Sequence, residues 1–461
     1  MKIRTLAHCT VGAVACCALG PPTWASGYQF DIQSIRSQGS SNAGAAEAAD
    51  PSTLFYNPAG MTRLSGTQLT LGAIAVDPHS TFSTTSATTS SGQTVSPSDN
   101  GGHYAKQAAI PLGYLSHQIN ERATVGIGLF VPYGAKLGYD DNFSGRYYGQ
   151  GIDLKSLNIN PALGFKLNER HSFGIGFSAQ YITASLNKSQ DMVSTADAVC
   201  LAGGASAATC STIAASYTGQ PDAQIHVSGS DWGYGYNLGY LFTPDEATRI
   251  SLAYRSAIRQ KLSGEASFTI PNGLPGGAGS QINQGIQSAL ANSSATLPIT
   301  TPETVSLSAF HLLNSRWAIM GALNWIRHDR LQNIEIDMPT AQIPDRKVTY
   351  LTAWHNSWSA AIGASYQFDA RWTLRGGYMY DQSPVSSPAD SLTLLPDSNR
   401  QIFSCGASYR VGARDTVDIA YSYIRLQTAA ISLTDDDGDG TLYGSYHTHV
   451  NLMGIGYTHR F

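Results

Sequence analysis

The sequence predicts an all-β fold: a fourteen-stranded antiparallel transmembrane β-barrel with an N-terminal hatch, or plug, inside the lumen. Three observations predict it. Only 13% of the 461 residues are charged, against about 25% in an ordinary soluble domain. The aromatic residues are led by 24 tyrosines, whose apolar ring and polar tip suit a boundary between water and an apolar phase. No run of about 18 apolar residues occurs, which excludes a spanning helix and leaves strands as the means of crossing. The chain also alternates tight turns and long loops regularly from Thr67 onward. A net charge of −4 excludes a nucleic-acid binder that works by excess positive charge.

Taken in chain order, residues 1–25 read as a secretory signal peptide. Lys2 and Arg4 precede an uncharged, mostly small and apolar stretch, and Thr23-Trp24-Ala25 offers a small-x-small cleavage site. Val14-Ala15-Cys16 could be a lipoprotein site instead, but the usual leucine is absent. Of the cysteines beyond the signal, Cys200 and Cys210 bracket a small polar stretch. An oxidising envelope favours a disulfide there, the alternative being two loop thiols. Cys405 lies in an alternating segment and reads as a small packing residue. Residues 26–66 are rich in Ala, Gly and Ser and alternate too weakly for a strand. Their size suits a plug, which a barrel this wide needs if it is not to leak.

The barrel occupies residues 67–461. Six short turns are Asn120-Glu121-Arg122, Asn168-Glu169-Arg170-His171, Pro244-Asp245-Glu246-Ala247, Asn314-Ser315-Arg316, Asp369-Ala370-Arg371 and Gly412-Ala413-Arg414-Asp415. Seven long connections lie around 84–103, 136–150, 189–223, 272–297, 335–348, 385–396 and 433–445, so the strands number fourteen. Short turns on one rim and long loops on the other, with an even strand count, are the build of bacterial outer-membrane barrels. Period-two patterning agrees: Phe173, Ile175, Phe177, Ala179 and Tyr181 alternate with Gly174, Gly176, Ser178 and Gln180. The chain ends in the same way, with Met453, Ile455, Tyr457, His459 and Phe461 on one face. A soluble β-sandwich would need paired inner faces and more outward charge. The expected location is the Gram-negative outer membrane, in contact with its lipid and lipopolysaccharide. A monomer is expected, because a closed barrel needs no partner for its edges.

The string Ala48-Ala49-Asp50-Pro51-Ser52-Thr53-Leu54-Phe55-Tyr56-Asn57-Pro58-Ala59-Gly60-Met61 resembles the N-terminal hatch signature of the outer-membrane long-chain fatty acid transporter (FadL/TodX) family. Phe130-Val131-Pro132-Tyr133-Gly134, Gly145-Arg146-Tyr147-Tyr148, Tyr254-Arg255-Ser256, Arg375-Gly376-Gly377-Tyr378 and Leu395-Pro396-Asp397 are similar to later family segments in order. The resemblance implies passive uptake of hydrophobic compounds: extracellular capture, passage to an internal site, a shift of the hatch and lateral exit through the wall. Sideways exit is physically sensible. A tail of ~16 methylenes at ~0.8 kcal/mol each resists a water-filled pore by ~13 kcal/mol.

By that resemblance Asn57, Pro58 and Ala59 belong to the moving hatch, although Asn and Pro also form plain turns. Pro132 and Gly134 both disrupt strand pairing. They are candidates for the lateral opening, an ordinary bulge being the alternative. The loops 189–223 and 272–297 stand where the family keeps its capture groove. Ile282, Ile286 and Leu290, with Ala289, lie at helical spacing there, and would offer an apolar face either to ligand or to the other loop. A ligand carboxylate needs a cation in an apolar cavity. Arg255, Arg259 and Lys261 share one strand parity, opposite to Ile250, Leu252, Tyr254 and Ile258, and are expected to point inward. Lys188 and Arg330 are expected near the extracellular side of the lumen. The alternative for each cation is a salt bridge that fixes the hatch.

No G-x-S-x-G, H-E-x-x-H or spaced carboxylate pair argues for an enzyme. Asp435-x-Asp437-x-Asp439-Gly440 matches the start of a calcium loop, but its twelfth position is Tyr446 rather than Glu. His447 and His449 share a strand face and are too few to make a metal site, so no cofactor is expected. Long-chain fatty acids are the expected substrates. Uptake of aromatic or other small hydrocarbons is the rival within the family, and a general porin or adhesin is the rival from another class.

Overall fold

A computed structural model describes residues 27–276, 279–339, 347–434 and 439–461. The expected signal peptide and the acidic pair Asp435 and Asp437 lie outside the described residues. Twenty strand segments form one sheet, and six strands consist of two segments each, so the chain crosses fourteen times. In chain order these are β1 (Thr67–Thr88), β2 (Ala108–Gln118), β3 (Ala123–Phe130 and Gly134–Gly138), β4 (Gly151–Lys166) and β5 (His171–Gln190). Next come β6 (Ala223–Phe242), β7 (Thr248–Arg255 and Ile258–Thr269), β8 (Ser293–Thr301 and Thr304–Leu312) and β9 (Trp317–Ile326 and Asn333–Asp337). The last are β10 (Lys347–Leu351 and Ser357–Gln367), β11 (Trp372–Asp381), β12 (Arg400–Val411), β13 (Asp415–Leu426 and Ala429–Leu433) and β14 (Thr441–Arg460). β1 pairs antiparallel with β14 from Gln68 opposite Arg460 to Thr88 opposite Thr441, which closes the sheet. Closure satisfies the backbone within the lipid and leaves no edge.

Strand alternation separates lipid from lumen. Phe173, Ile175 and Phe177 are about half exposed on the outer face, while Ser172, Ser178 and Gln180 are buried on the inner one. Cys405 follows the outward parity and is exposed, so it is not the packing residue its surroundings suggest. Five of the six short turns share one device. Asn120, Asn168, Asp245, Asn314 and Asp369 each accept, through a side-chain oxygen, the backbone N–H groups two and three residues on. These Asx turns reverse the chain in very few residues.

Residues 27–66 run inside the barrel as short helical turns and contain no long strand. The 3-10 turn Ala43–Glu47 lies between helices α1 (Ile35–Gln38) and α2 (Thr53–Tyr56), and a second, Pro58–Arg63, follows α2. The segment touches walls on opposite sides: Gln38 Nε2 donates to the Leu452 carbonyl, and Asn57 Nδ2 to the Tyr240 carbonyl. Its charges Arg36 and Glu47 are paired within the plug and with the wall. Arg36 lies 3.3 Å from Asp50 and 3.7 Å from Asp418, and Glu47 lies 3.4 Å from Arg375. Burial alone would raise the Glu47 carboxyl pKa, but Arg375 and Arg36 outweigh it and hold the group below its ordinary value.

At the long-loop end, α3 (Met192–Ala202) and α4 (Ala207–Ala214) are joined by the Cys200–Cys210 disulfide. α5 (Gly279–Ala289) packs across them. The alternation makes a direct prediction. Phe177→Lys, on the lipid face, should lower unfolding stability in lipid vesicles by about 2–4 kcal/mol if it lies near the midplane, whereas Ser178→Ala on the inner face should change it far less; urea titration followed by tryptophan fluorescence reads the difference.

Candidate functional site

The site begins with a seat for Asn57-Pro58-Ala59. Asn57 Nδ2 donates to the Tyr240 carbonyl at 2.9 Å and to Ser251 Oγ at 2.6 Å, and Asn57 Oδ1 accepts from the Ala59 N–H at 2.8 Å. A side chain therefore does what a strand ladder does elsewhere. The approach is close because the wall is glycine: a Cβ on Gly174 would collide with the Ala59 backbone, and one on Gly239 with the Asn57 side chain. The small members of the alternating pattern make room for the plug.

Beside this seat is a cavity of about 50 Å³, lined by Phe55, Tyr56 and Pro58 of the plug and by Asn237, Ser251, Arg255, Ser306 and Asn324 of the wall. The plug side chains Phe55, Tyr56 and Pro58 form one side of this space, so its size depends on where the plug sits. Arg255 Nη2 donates to the Phe55 carbonyl at 2.7 Å. Its guanidinium also lies over the rings of Phe55 at 4.7 Å and Phe130 at 5.4 Å. Its Nη1 is buried without a hydrogen-bond partner among the described residues. Asp31 lines the same cavity and accepts from Gln29 Nε2 at 2.6 Å, and burial pushes its carboxyl pKa up.

The other expected cations are placed differently. Arg255 faces inward as expected, but the strand breaks at Ser256-Ala257, and Ile258, expected outward, is buried on the inner face. Arg259 and Lys261 are consequently exposed on the outside, not in the lumen. The three-residue step from Arg255 to Ile258 shifts the alternation by one. Lys188 pairs with Asp439 at 2.6 Å. Arg330 pairs with Glu303 at 2.7 Å, where Arg327 also binds it. Arg330 lines a groove with Trp232, Tyr234 and Arg259 on the outer wall, so it too is not a luminal group.

The break in β3 falls at Val131-Pro132-Tyr133, between its two segments. Its backbone is taken up by the plug: the Phe30 N–H donates to the Pro132 carbonyl at 2.7 Å and the Gly134 N–H to the Tyr28 carbonyl at 2.9 Å. Pro132 and Gly134 therefore stand where plug and wall share a short ladder. In the extracellular loops, Ile286 and Leu290 are buried against Met192, Ala196 and Tyr217, with Ile282 packed on the same cluster. That face meets the other loop rather than an open groove. His449 stacks on His79 at 4.7 Å, and among the described residues no three His, Cys, Asp or Glu side chains converge on a metal-sized site.

The sequence reading missed the charged anchors Arg36, Glu47 and Arg375, and the buried pair of Arg146 with Asp222 at 2.6 Å. It also missed the buried Arg400, which binds Asp397 and lies 3.5 Å from Asp381. One usable signal existed: Arg375 falls on the inner parity of β11, where a lone charge requires a partner on the plug or a neighbouring strand.

A closed barrel of fourteen strands, banded with apolar residues outside and filled from its own N-terminus, defines a membrane-channel architecture. The comparisons give the family. The chain belongs to the family described as Outer membrane protein transport protein (OMPP1/FadL/TodX), whose model matches residues 16–461. It is therefore an outer-membrane protein of a transport family, not of an enzyme family. It is 33% identical over 446 residues to an outer membrane protein of Neisseria meningitidis serogroup B, covering 95% of each chain. It is 27% identical to the long-chain fatty acid transport protein of Escherichia coli, covering 96% of this chain and 99% of that one. Among solved structures, a Pseudomonas aeruginosa FadL homologue superposes with a TM-score of 0.82 at 22% identity, over 94% of this chain and 100% of that one. The Ralstonia pickettii toluene transporter TbuX does so with 0.64 at 18%, over 94% and 100%. At these identities the superpositions speak for the fold.

The glycine seat is testable by conductance. Gly174→Val should displace the Asn57-Pro58-Ala59 turn and raise the ion conductance of the barrel in planar bilayers several-fold over the parent, while Gly376→Val, whose Cβ would be nearly unobstructed, should leave it unchanged.

Proposed function

We propose that this protein takes up hydrophobic compounds across the outer membrane by diffusion, and that its substrates are long-chain fatty acids whose carboxylate is received by Arg255. The observation that carries the reading is the Arg255 guanidinium. It is held against Phe55 of the plug, aromatic on one side, with Nη1 buried and without a hydrogen-bond partner among the described residues. A guanidinium with an unpartnered donor beside apolar rings suits an anion with an apolar tail. The transport protein of Escherichia coli, a relative over nearly its whole length, is named for the same substrate class.

Uptake then requires the plug to move, because the Phe55 carbonyl occupies Arg255 and the plug is bonded to walls on opposite sides of the lumen. Phe55 and Pro58 form its plug-side wall, so displacing the Asn57-Pro58-Ala59 turn enlarges the site and withdraws the carbonyl that now occupies Arg255. The same movement, propagated to Tyr28 and Phe30, would unpair Pro132 and Gly134. The kink of β3 then opens sideways into the bilayer. The loops carrying α3, α4 and α5 supply the entry, through separation of the Ile282, Ile286 and Leu290 face from the Met192 and Tyr217 cluster. The barrel works as a monomer, with lipopolysaccharide around its extracellular half and phospholipid around the other.

Paired uptake of labelled oleate and toluene by cells lacking their own transporter tests this. Loss of a hydrogen bond to a charged group costs roughly 1.5–3 kcal/mol, so Arg255→Gln should slow oleate uptake by roughly ten- to a hundredfold and leave any toluene uptake intact. The outward pair changed together, Arg259→Gln with Lys261→Gln, should leave oleate uptake near the parent rate. Full oleate uptake in Arg255→Gln would contradict the carboxylate assignment, and uptake of toluene alone by the parent would move the protein to the hydrocarbon branch.

A further inference from the structure

Beneath the plug, at the short-turn end of the barrel, lies a second cavity of about 200 Å³. It is lined by seven arginines, with Glu47 the one carboxylate among its lining residues. Two of the arginines are deep. Arg375 is 7% exposed, donates from Nη1 to Ser408 Oγ at 2.5 Å and meets Glu47 through Nη2 at 3.4 Å. Its Nε is buried with no partner among the described residues. Arg36 reaches Glu47 at 3.8 Å from the plug side. Arg316, Arg371, Arg410, Arg414 and Arg460 stand at the rim.

The rim charges are only partly offset, by Asp369 near Arg371 and Asp415 near Arg414. Among the described residues none of the five has a carboxylate within ion-pair distance, although Arg36 and Arg375 do. Those two acids are held by other groups rather than by a direct ion pair with an arginine. Asp369 accepts the N–H groups of its own turn, and Asp415 accepts from the Tyr457 hydroxyl and His459 Nδ1 at 2.5 and 2.7 Å. Seven guanidinium groups lining one space repel one another, and the repulsion is relieved when an oxyanion enters, because their planar forks match carboxylate and phosphate oxygens. The space has room for a small oxyanion and part of its hydration.

We propose that this periplasmic mouth is an oxyanion-binding site, for a carboxylate or a phosphate group, and that its occupancy is coupled to the plug. The coupling is geometric. Arg36 and Arg375 both hold Glu47, so an anion that engages these two arginines competes with the carboxylate that ties the plug to β11. A bound anion loosens that tie, and a plug held by Glu47 disfavours the anion. The site stands independently of the transport reading; only the assignment of a transported acid as the source of the carboxylate rests on it.

Calorimetric titration of the full barrel in detergent micelles tests the proposal, with inorganic phosphate and with hexanoate as separate probes. Saturable binding of one anion per barrel by either probe, weakened at least tenfold in the Arg371→Gln, Arg414→Gln variant, supports it. Both changes lie at exposed turns, and an unchanged melting curve shows that the variant folds. Binding of hexanoate alone identifies a carboxylate ligand, and binding of phosphate identifies a soluble periplasmic anion. Binding of neither probe up to millimolar concentration, or equal binding by the variant, overturns the site. Arg255→Gln should bind these anions as the parent does, so a failure of the uptake assignment is separable from a failure here.

Discussion

Everything in this molecule follows from the need to pair every backbone polar group that crosses the lipid. One answer is a sheet that closes on itself, and here β1 and β14 close it along most of their lengths. Closure at this strand number creates a second problem, a lumen too wide for wall side chains to fill. The chain solves it with residues 27–66, and the inward wall positions are small so that this segment can approach. Glycines that weaken a strand in isolation become the seat of the plug. The same economy explains why Asn57, not a strand, reaches the Tyr240 carbonyl and Ser251.

The interruptions in the strands matter as much as the strands. Those of β7, β8, β9 and β10 lie side by side, since Arg255 is opposite Thr304, Thr304 opposite Ile326, and Ile326 opposite Ser357. The wall changes course along that line. It turns Ile258 inward and Arg259 outward, and it leaves Glu303 to gather Arg327 and Arg330. In β3 the interruption is instead mended by the plug through Tyr28 and Phe30. There the hydrogen bonds of a wall strand are completed by the plug.

The fold was legible in the sequence because its signals are local. Asx turns mark one rim, strand alternation marks the two faces, and both survive whatever the rest of the chain does. The site was legible in part. Arg255 lies on the regular stretch of β7 and was read correctly as inward, whereas Arg259 and Lys261 lie beyond a two-residue break that no alternation rule announces. The packing of Ile286 and Leu290 against Tyr217 depends on two loops meeting, which pattern alone left open. The charge anchors were hidden for a related reason. Arg36 and Glu47 sit in a segment with no periodicity, and their partners Asp418 and Arg375 are hundreds of residues away in the chain.

The central claim is that transport requires the plug to leave its seat. Thr62 Oγ1 and Ser172 Oγ stand 3.0 Å apart, between the plug and β5. Thr62→Cys with Ser172→Cys would allow a disulfide to lock the turn that carries Pro58 and Ala59. Oleate uptake by this variant should fall to background when oxidised and return when reduced; uptake at the full rate with the lock demonstrably closed would contradict the account.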